Sequence, residues 1–290
     1  MDPLQILLLQ WQGINLNIKQ VWDLLSLNEK QIIEYVSEQG MSISEDTFRK
    51  LHENFKLCHD NGIEIIPFWH PNYPKDILNM ANPPWALTCV GDSSRLVHQS
   101  VAVVGSRKLN FEAAQWMESE LSELISESGF DLVSGGAYGV DQKAHQICIL
   151  HNRPSVCWLP SGLLNIYPSK MSQLAPDLLK AGGVFVSTYE PKQSIRKHHF
   201  YQRNQFIAAS SLYTFIVQAK RRSGTLITAK AAADMGKTVA VLPSAPNQEG
   251  LGGLDLLHEG ARLIRDSRDL IELANELMIE QASPFMKSEA

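Results

Sequence analysis

A long basic segment without acidic residues has the clearest chemical potential in this sequence. The 43 residues between Glu190 and Asp234 contain no Asp or Glu, although the chain of 290 residues carries 31 acids in all. Cations that follow a sugar–phosphate backbone, with aromatic faces between them for stacking, are what single-stranded nucleic acid binding requires. The segment therefore predicts such a site, and a solvated basic face without a partner is the alternative. Its cations are Lys192, Arg196, Lys197, Arg203, Lys220, Arg221, Arg222 and Lys230, and its aromatic residues include Phe200, Tyr201 and Phe206, the last expected in the core.

Two glycine-containing loops, each directly after a predicted strand, carry groups that can bind phosphate. In the first loop Gly105 precedes Arg107 and Lys108, and we expect this glycine to let a phosphate approach the backbone. The second loop contains Gly135 and Gly136, and its backbone N–H groups predict an anion-binding nest. An ordinary tight turn is the alternative for the first loop, because a short glycine-rich turn is a weak motif.

Loops further along the sequence contain other residues that can bind phosphate. Lys170 is placed where it can reach a phosphate at the same edge of the sheet, although a lone lysine is usually only solvated. Ser223, Gly224 and Thr225 open a helix, so that a hydroxyl can cap it and its free N–H groups can hold an anion. Residues 236–238 resemble the end of a Walker A motif, but the required earlier glycine is missing and the segment leads from helix into strand. Nucleoside triphosphate hydrolysis is therefore not predicted.

The predicted elements that position these loops alternate regularly between strands and helices. From residue 100 onward, short β-branched runs alternate with amphipathic helical stretches, which is typical of βαβ units. The pattern predicts an α/β fold, a Rossmann-like, mostly parallel sheet with helices on both faces. Because the carboxyl ends of parallel strands meet at one edge of the sheet, the candidate loops should converge there.

Changes in apolar spacing and in proline content divide the chain into four predicted segments. Residues 1–60 have apolar residues at helical spacing and predict a small domain of about four short helices. Residues 61–99 combine a strand-like run with several prolines and predict a connector with short strands. Residues 100–280 form the predicted Rossmann-like domain, and residues 281–290 are predicted to be a frayed tail.

The amino-acid composition limits the classes of protein and of binding that this sequence allows. Hydrophobic residues make up 44% of the chain and charged residues 20%, which is the balance of a soluble globular protein. The formal net charge of −5 excludes a polycationic mode of nucleic-acid binding but not a local basic patch. The four cysteines lack metal-site spacing, so we expect reduced core residues and no metal. Without a signal-peptide pattern or an apolar run near the ~20 residues of a membrane helix, we expect a cytoplasmic protein with no membrane contact.

Six groups of short motifs follow one another in order along most of the chain. They are residues 73–74 (YP) with 83–84 (PP), residues 101–107 (VAVVGSR), residues 134–141 (SGGAYGVD) with 144–145 (AH), residues 161–162 (SG) with 166–168 (IYP), residues 203–204 (RN) with 207–208 (IA), and residues 223–229 (SGTLITA). In this combination and order they resemble the DprA/Smf family of DNA-processing proteins.

The resemblance implies a cytosolic, non-enzymatic protein without a cofactor that binds single-stranded DNA in the Rossmann-fold pocket. It further implies protection of incoming DNA during natural transformation, loading of the RecA recombinase onto that DNA, and a homodimer. Residues 1–60 would correspond to a small SAM-like domain. The residues assigned by position are Arg107 as the main phosphate contact, Phe200, Arg203 and Asn204 along the strand path, and Ser223, Gly224 and Thr225 on the opposite wall.

Departures from the family pattern imply weaker or specialised DNA binding. Tyr138 stands where the family often has arginine, so that one phosphate contact is absent or replaced by stacking. Gln202 and Gln205 take the place of the usual basic neighbours of residues 203–204. No winged-helix domain is expected after Leu277.

Two rival functions stay open. A nucleoside-monophosphate-cleaving enzyme of the lysine-decarboxylase-like Rossmann group also places a Gly-Thr turn at a helix start, but its chemistry needs a carboxylate. The helix after Thr225 has no acid before Asp234, and Asp141 with His145 is more simply interpreted as a first-turn Asp and a packed His than as an acid–base pair. A protein–protein adaptor with a vestigial pocket is the third possibility.

The late helices, around residues 254–257 and 271–277, are the predicted dimer surface.

Overall fold

The N-terminal region of the computed structural model, which describes residues 2–282, folds into four α-helices. They are α1 (Pro3–Leu7), α2 (Ile18–Leu24), α3 (Glu29–Glu38) and α4 (Glu45–Asp60), with a 3-10 segment at Leu8–Gln12. Asn17 and Asn28 begin α2 and α3, because each side chain accepts a hydrogen bond from an otherwise unpaired backbone N–H of the first turn. The helices predicted from apolar spacing are therefore present.

A nine-stranded sheet runs through the remainder of the chain. Its strands are β1 (Glu64–Pro67), β2 (Ala86–Gly91), β3 (Ser100–Val104), β4 (Asp131–Ser134), β5 (Ser155–Trp158), β6 (Val184–Ser187), β7 (Thr214–Ile216), β8 (Val239–Val241) and β9 (Arg262–Leu263). Their order across the sheet is β1-β2-β6-β5-β4-β3-β7-β8-β9. The pairs β1–β2 and β2–β6 are antiparallel, whereas all pairs from β6 to β9 are parallel.

Helices cover both faces of this sheet. They are α5 (Phe111–Trp116), which continues through a π-helical turn at Met117–Leu121 into α6 (Ser122–Glu127), then α7 (Val140–Leu150), α8 (Ser169–Lys180), α9 (Lys197–Ala209), α10 (Gly224–Asp234), α11 (Leu251–His258) and α12 (Ser267–Ala282). Side chains alternate along β3, so Val101 and Val103 pack under α5, α7 and α12, while Ala102 and Val104 face the core shared with α9 and α10. The predicted Rossmann-like, mostly parallel sheet with helices on both faces is confirmed.

The segments outside the parallel sheet are attached to it by specific contacts. The short strands predicted for residues 61–99 are β1 and β2, and they extend the sheet at one edge. The indole N–H of Trp11 donates to the carbonyl of Thr188 at 2.9 Å, and buried residues of α1–α4 share one hydrophobic core with the sheet. At the other end, α12 includes residues 281–282 of the predicted tail, and residues 283–290 lie outside the described part.

The position of β3 in the sheet determines where a ligand can enter. From β3 the chain proceeds through β4, β5 and β6 to one side, then crosses to β7, β8 and β9 on the other. Such a reversal separates the loops after β3 and β7, and open α/β sheets bind ligands in the resulting crevice at the carboxyl edge.

The four cysteines are buried and unpaired. None of the helices within residues 2–282 has both the length and the apolar character that crossing a membrane requires.

Candidate nucleic-acid interface

A cleft of about 920 Å³ opens at the carboxyl edge of the sheet, between the loops that follow β3 and β7. The β3 loop, α9 and the first turn of α10 form its walls. Eight of the eleven predicted site residues line it, namely Arg107, Lys108, Phe200, Arg203, Asn204, Ser223, Gly224 and Thr225. The convergence expected from the strand order therefore brings together residues that are more than a hundred positions apart.

Three predicted site residues lie elsewhere. Gly135 lines a small recess beside the cleft. Gly136 is buried under its own loop, where its carbonyl accepts a hydrogen bond from the Gln142 side chain at 3.1 Å. Lys170 is exposed in the first turn of α8 and lines neither the cleft nor the recess.

Two glycines of these loops serve packing between backbone segments. A Cβ on Gly105 would lie 2.5 Å from Cγ2 of Val140, so this glycine lets α7 approach β3. Gly105 also lines the cleft, and the expected approach of a phosphate to its backbone stays a prediction. Gly139 has a φ of +80°, and a Cβ there would lie 2.2 Å from the carbonyl oxygen of Ser106. The glycine-rich loop between β4 and α7 (residues 135–139) is therefore packed against the β3 loop (residues 105–110).

An internal carboxylate occupies the expected anion-binding nest. Asp141 is buried in the first turn of α7, and its Oδ2 accepts the Ala137 backbone N–H at 3.3 Å. A second backbone hydrogen bond comes from Gly135. Burial raises the pKa of the Asp141 carboxyl, while the neighbouring Arg203 and these hydrogen bonds oppose the rise.

Arg203 lies at the junction between this loop and the cleft and is only 4% exposed. Its Nη1 donates to the carbonyl of Gly135 and, at 3.3 Å, to the carbonyl of Trp158. A Cβ on Gly135 would lie 1.6 Å from that nitrogen, so the glycine leaves the space the guanidinium fills. Burial lowers the pKa of Arg203, but a guanidinium stays charged in proteins. The side chain thus connects the glycine-rich loop to the end of β5.

His145 does not pair with Asp141. Its Nδ1 is hydrogen-bonded to the Ser155 hydroxyl at 3.0 Å, and burial, assisted by the charge of Arg203, lowers the pKa of His145 to about 3. The imidazole is therefore neutral at physiological pH. This geometry agrees with a separately packed histidine rather than with a catalytic Asp–His pair.

Arg107 is an exposed cation of the β3 loop. Its Cζ lies 5.7 Å from the ring centroid of Phe200, within the range of a cation–π contact. The side chain is exposed and forms no salt bridge with any carboxylate of residues 2–282. Lys108 and Lys197, which also line the cleft, form none within the same residues. These three cations are available to an anionic ligand.

Other cations of the basic segment are neutralised by folding. Lys220 pairs with Glu249, and the Arg221 guanidinium holds Asp255 through two bonds of 2.6 and 2.7 Å. Both acids come from the region after β8, where the amide of Gly252 also donates to the carbonyl of Ala219 at 2.9 Å. The acid-free sequence therefore overstates the free positive charge at the site.

The first turn of α10 forms the wall opposite Arg107. Ser223 occupies the N-cap position, but its side chain makes no capping bond, and its buried Oγ has no partner within residues 2–282. Gly224 faces open space, since a Cβ there would meet nothing within 4 Å. Asn204 of α9 donates to the Gly224 carbonyl at 3.3 Å. The unpaired N–H groups of this turn carry partial positive charge toward the cleft.

Two of the aromatic residues of α9 line the cleft, and a third lies in the core. Phe200 is half-buried and lines the cleft together with Tyr201, whose side chain is 53% exposed. Phe206 is buried and stacks on Trp158, with 5.0 Å between ring centroids. Phe206 is thus a core residue, as expected, and Phe200 and Tyr201 are accessible to a ligand.

The fold and the cleft define a Rossmann-like protein with a cleft at the carboxyl edge of its sheet that is lined by cationic and aromatic side chains. Residues 64–275 match the family model described as DNA recombination-mediator protein A, and the chain belongs to this family. Protein Smf of Synechocystis sp. is 34% identical over 209 residues, which cover 69% of this chain and 51% of that protein. The chain thus spans about half the length of this relative.

Solved structures of DNA processing protein A show the same fold. The protein from Streptococcus pneumoniae has a TM-score of 0.72 and 26% identity, and the match covers 93% of this chain and 92% of that one. The protein from Helicobacter pylori has a TM-score of 0.66 and 29% identity, and the match covers 75% and 96% of the two chains. The Helicobacter structure is described as showing a unique single-stranded DNA binding mode. The family resemblance predicted from the sequence is confirmed.

Proposed function

We propose that the protein binds single-stranded DNA in the cleft between the loops after β3 and β7. The observation that carries this proposal is the exposed guanidinium of Arg107 over the ring of Phe200, with no carboxylate paired to it in the described residues. A cation and an aromatic face side by side match the two parts of an unpaired nucleotide, its phosphate and its base. Unpaired bases are required for stacking, so we expect a preference for single strands over duplex.

Each wall of the cleft has a part in this proposal. Arg107 holds one phosphate through its two-pronged guanidinium, and Lys108 adds a second charge on the same loop. Phe200 takes a base, and Asn204 offers its amide beside it. Across the cleft, the hydroxyls of residues 223 and 225 and the free N–H groups near residue 224 receive another phosphate.

The remaining candidates act indirectly in the proposal. Arg203 positions the glycine-rich loop, and Gly135 leaves the space that Arg203 fills. Gly136 and Lys170 have no direct contact with the bound strand.

The decisive experiment measures how binding of a fluorescent single-stranded oligonucleotide depends on salt. Arg107→Ala should weaken binding equally for every base sequence and flatten the logarithmic salt slope by roughly 0.7, the value per neutralised phosphate of a single strand. The melting temperature should not change, because the side chain is exposed and unpaired. Arg107→Lys should rescue binding only partly, since a point charge lacks the bidentate geometry.

The control is Lys56→Ala, which removes an exposed cation of α4 far along the chain from the cleft. It should leave both the affinity and the slope unchanged. If Arg107→Ala lowers the melting temperature but not the salt slope, Arg107 is a structural residue and the proposed site is wrong.

We propose that the bound strand is incoming DNA, which the protein protects and on which it loads RecA. Membership of the recombination-mediator family supports this role. We also propose a homodimer through α11, β9 and α12, where the exposed Leu263 and Ile279 offer apolar surface. Nuclease protection of the bound oligonucleotide and a dimeric mass by light scattering are the expected results. Unprotected DNA or a monomer at tens of micromolar would contradict them.

The two rival functions predict different results from the same preparation. Cleavage of nucleoside monophosphates needs an accessible carboxylate, but the only acid lining the cleft in the described residues is Asp141, which is buried and hydrogen-bonded to the backbone. The geometry therefore favours binding without catalysis, and we expect no release of free base from any nucleoside monophosphate. An adaptor would lack the steep salt dependence expected for DNA binding.

A further inference from the structure

A second aromatic surface lies beside the cleft. Tyr138, in the loop between β4 and α7, is 44% exposed, and Tyr167, before α8, is 38% exposed. Both tyrosines line the recess of about 20 Å³ that also touches Arg107 and Phe200. The ring of Tyr167 meets the ring of Phe200 edge to face, with 5.9 Å between centroids. Large aromatic side chains usually bury most of their area, so two clustered and accessible rings indicate a surface that receives a ligand.

Arg107 separates this recess from the cleft. Its side chain lines both, and so does Phe200, whose ring it covers. A phosphate bound by the guanidinium is therefore next to both the cleft and the two tyrosines. Each phosphate in a DNA strand joins two nucleosides, so the next base along that strand is directed toward the tyrosines.

The aromatic rings exposed at the recess suit a base. Besides the two tyrosines it is lined by Pro160, Pro168, Phe200 and the guanidinium groups of Arg107 and Arg203. Its other guanidinium, that of Arg203, is buried, and its Nη1 donates to two backbone carbonyls. At about 20 Å³ the recess is too small to enclose a base. The ligand must therefore lie on the exposed ring faces, as a stacked base does.

We propose that Tyr138 and Tyr167 form a stacking subsite for one unpaired base, adjacent to the phosphate that Arg107 holds. This inference rests on the proposed function, because it follows the same strand beyond the cleft. A bound strand thus passes over Arg107, with one base against Phe200 and the next on the tyrosines. Loss of one exposed stacking contact should weaken binding by roughly five- to tenfold.

The test uses the full chain and oligothymidylates that carry a single 2-aminopurine, moved one position at a time. In the wild type we expect two neighbouring positions whose fluorescence changes on binding. Tyr138→Ala should abolish the change at one of them and weaken binding by roughly five- to tenfold, whereas Tyr138→Phe should retain both. The salt slope should stay the same, since no phosphate contact is lost. Phe111→Ala, which removes a 76% exposed ring outside the cleft and the recess, is the matched control.

The outcomes separate the inference from the proposed function. If Arg107→Ala weakens binding but Tyr138→Ala and Tyr167→Ala do not, the subsite is wrong while the proposed function stands. If Tyr138→Lys tightens binding and steepens the salt slope, the recess accepts a phosphate and the subsite is again wrong. If the wild-type protein binds no single-stranded oligonucleotide, the proposed function fails and the subsite fails with it.

Discussion

Replacing Arg203 by alanine should destabilise the fold rather than remove a phosphate contact. The guanidinium is buried and donates to the carbonyls of Gly135 and Trp158, so its loss leaves two buried acceptors without their charged donor. It also removes the positive charge that opposes the effect of burial on Asp141. Loss of one partner from such a buried charged network costs about 3–5 kcal/mol of unfolding free energy. For a chain of this size that cost lowers the melting temperature by roughly 5–8 °C.

The destabilisation should depend on pH with a definite sign. Burial raises the pKa of the Asp141 carboxyl in the folded state, and the loss of Arg203 raises it further. A carboxyl whose pKa is higher in the folded state than in the unfolded state stabilises the fold at pH values below its unfolded-state pKa. This stabilisation is lost as the pH rises through the folded-state pKa. The cost of Arg203→Ala should therefore be larger at pH 8 than at pH 5. Asp141→Asn in the same chain should abolish most of this difference.

Urea unfolding at the two pH values measures these effects through the transition midpoint at constant slope. Gly135→Ala is an independent test, because its Cβ would lie 1.6 Å from Nη1 of Arg203 and must displace the guanidinium. It should reproduce the loss of stability seen in Arg203→Ala. A wild-type urea midpoint for Arg203→Ala, combined with a flatter salt slope of DNA binding, would show that Arg203 serves the ligand directly and would refute this reasoning.

Three further predictions concern the surroundings of the cleft. Glu249→Gln releases the Lys220 side chain and should tighten single-stranded DNA binding by about threefold, with a steeper salt slope. Gly139→Ala should lower the unfolding free energy by about 1–3 kcal/mol, because φ is +80° and the Ser106 carbonyl occupies the space of the Cβ. Gly224→Ala should change stability by less than about 0.5 kcal/mol, since its Cβ meets no atom within 4 Å.

Each of these predictions has a result that would contradict it. Unchanged affinity in Glu249→Gln would mean that Lys220 does not face the strand. A urea midpoint of Gly139→Ala equal to that of the wild type would show that the two loops are not tightly packed. A large loss of stability in Gly224→Ala would place an unseen neighbour at the start of α10.

Local patterns were sufficient to predict the fold and the position of the candidate cleft. Alternating strands and helices specified the parallel sheet, because apolar spacing directly reflects which side of each element is buried. Loops after parallel strands necessarily share one edge, so Arg107, Phe200 and residues 223–225 could be placed together from their order alone. The family motifs occupy these same loops, which is why the resemblance was visible in the sequence.

The roles of single side chains within the site were decided by tertiary structure. Arg203 and Arg107 are the same residue type in candidate loops, yet one is buried against backbone carbonyls and the other is exposed beside Phe200. The positive charge of Lys220 was equally visible in the sequence, but its neutralisation by Glu249 was not. Burial and ion pairing depend on contacts between segments far apart in the chain, and spacing along the chain carries no information about those distances. The sequence by itself thus determined where the candidate cleft lies, while only the tertiary structure decided which of its charges are free of internal ion pairs.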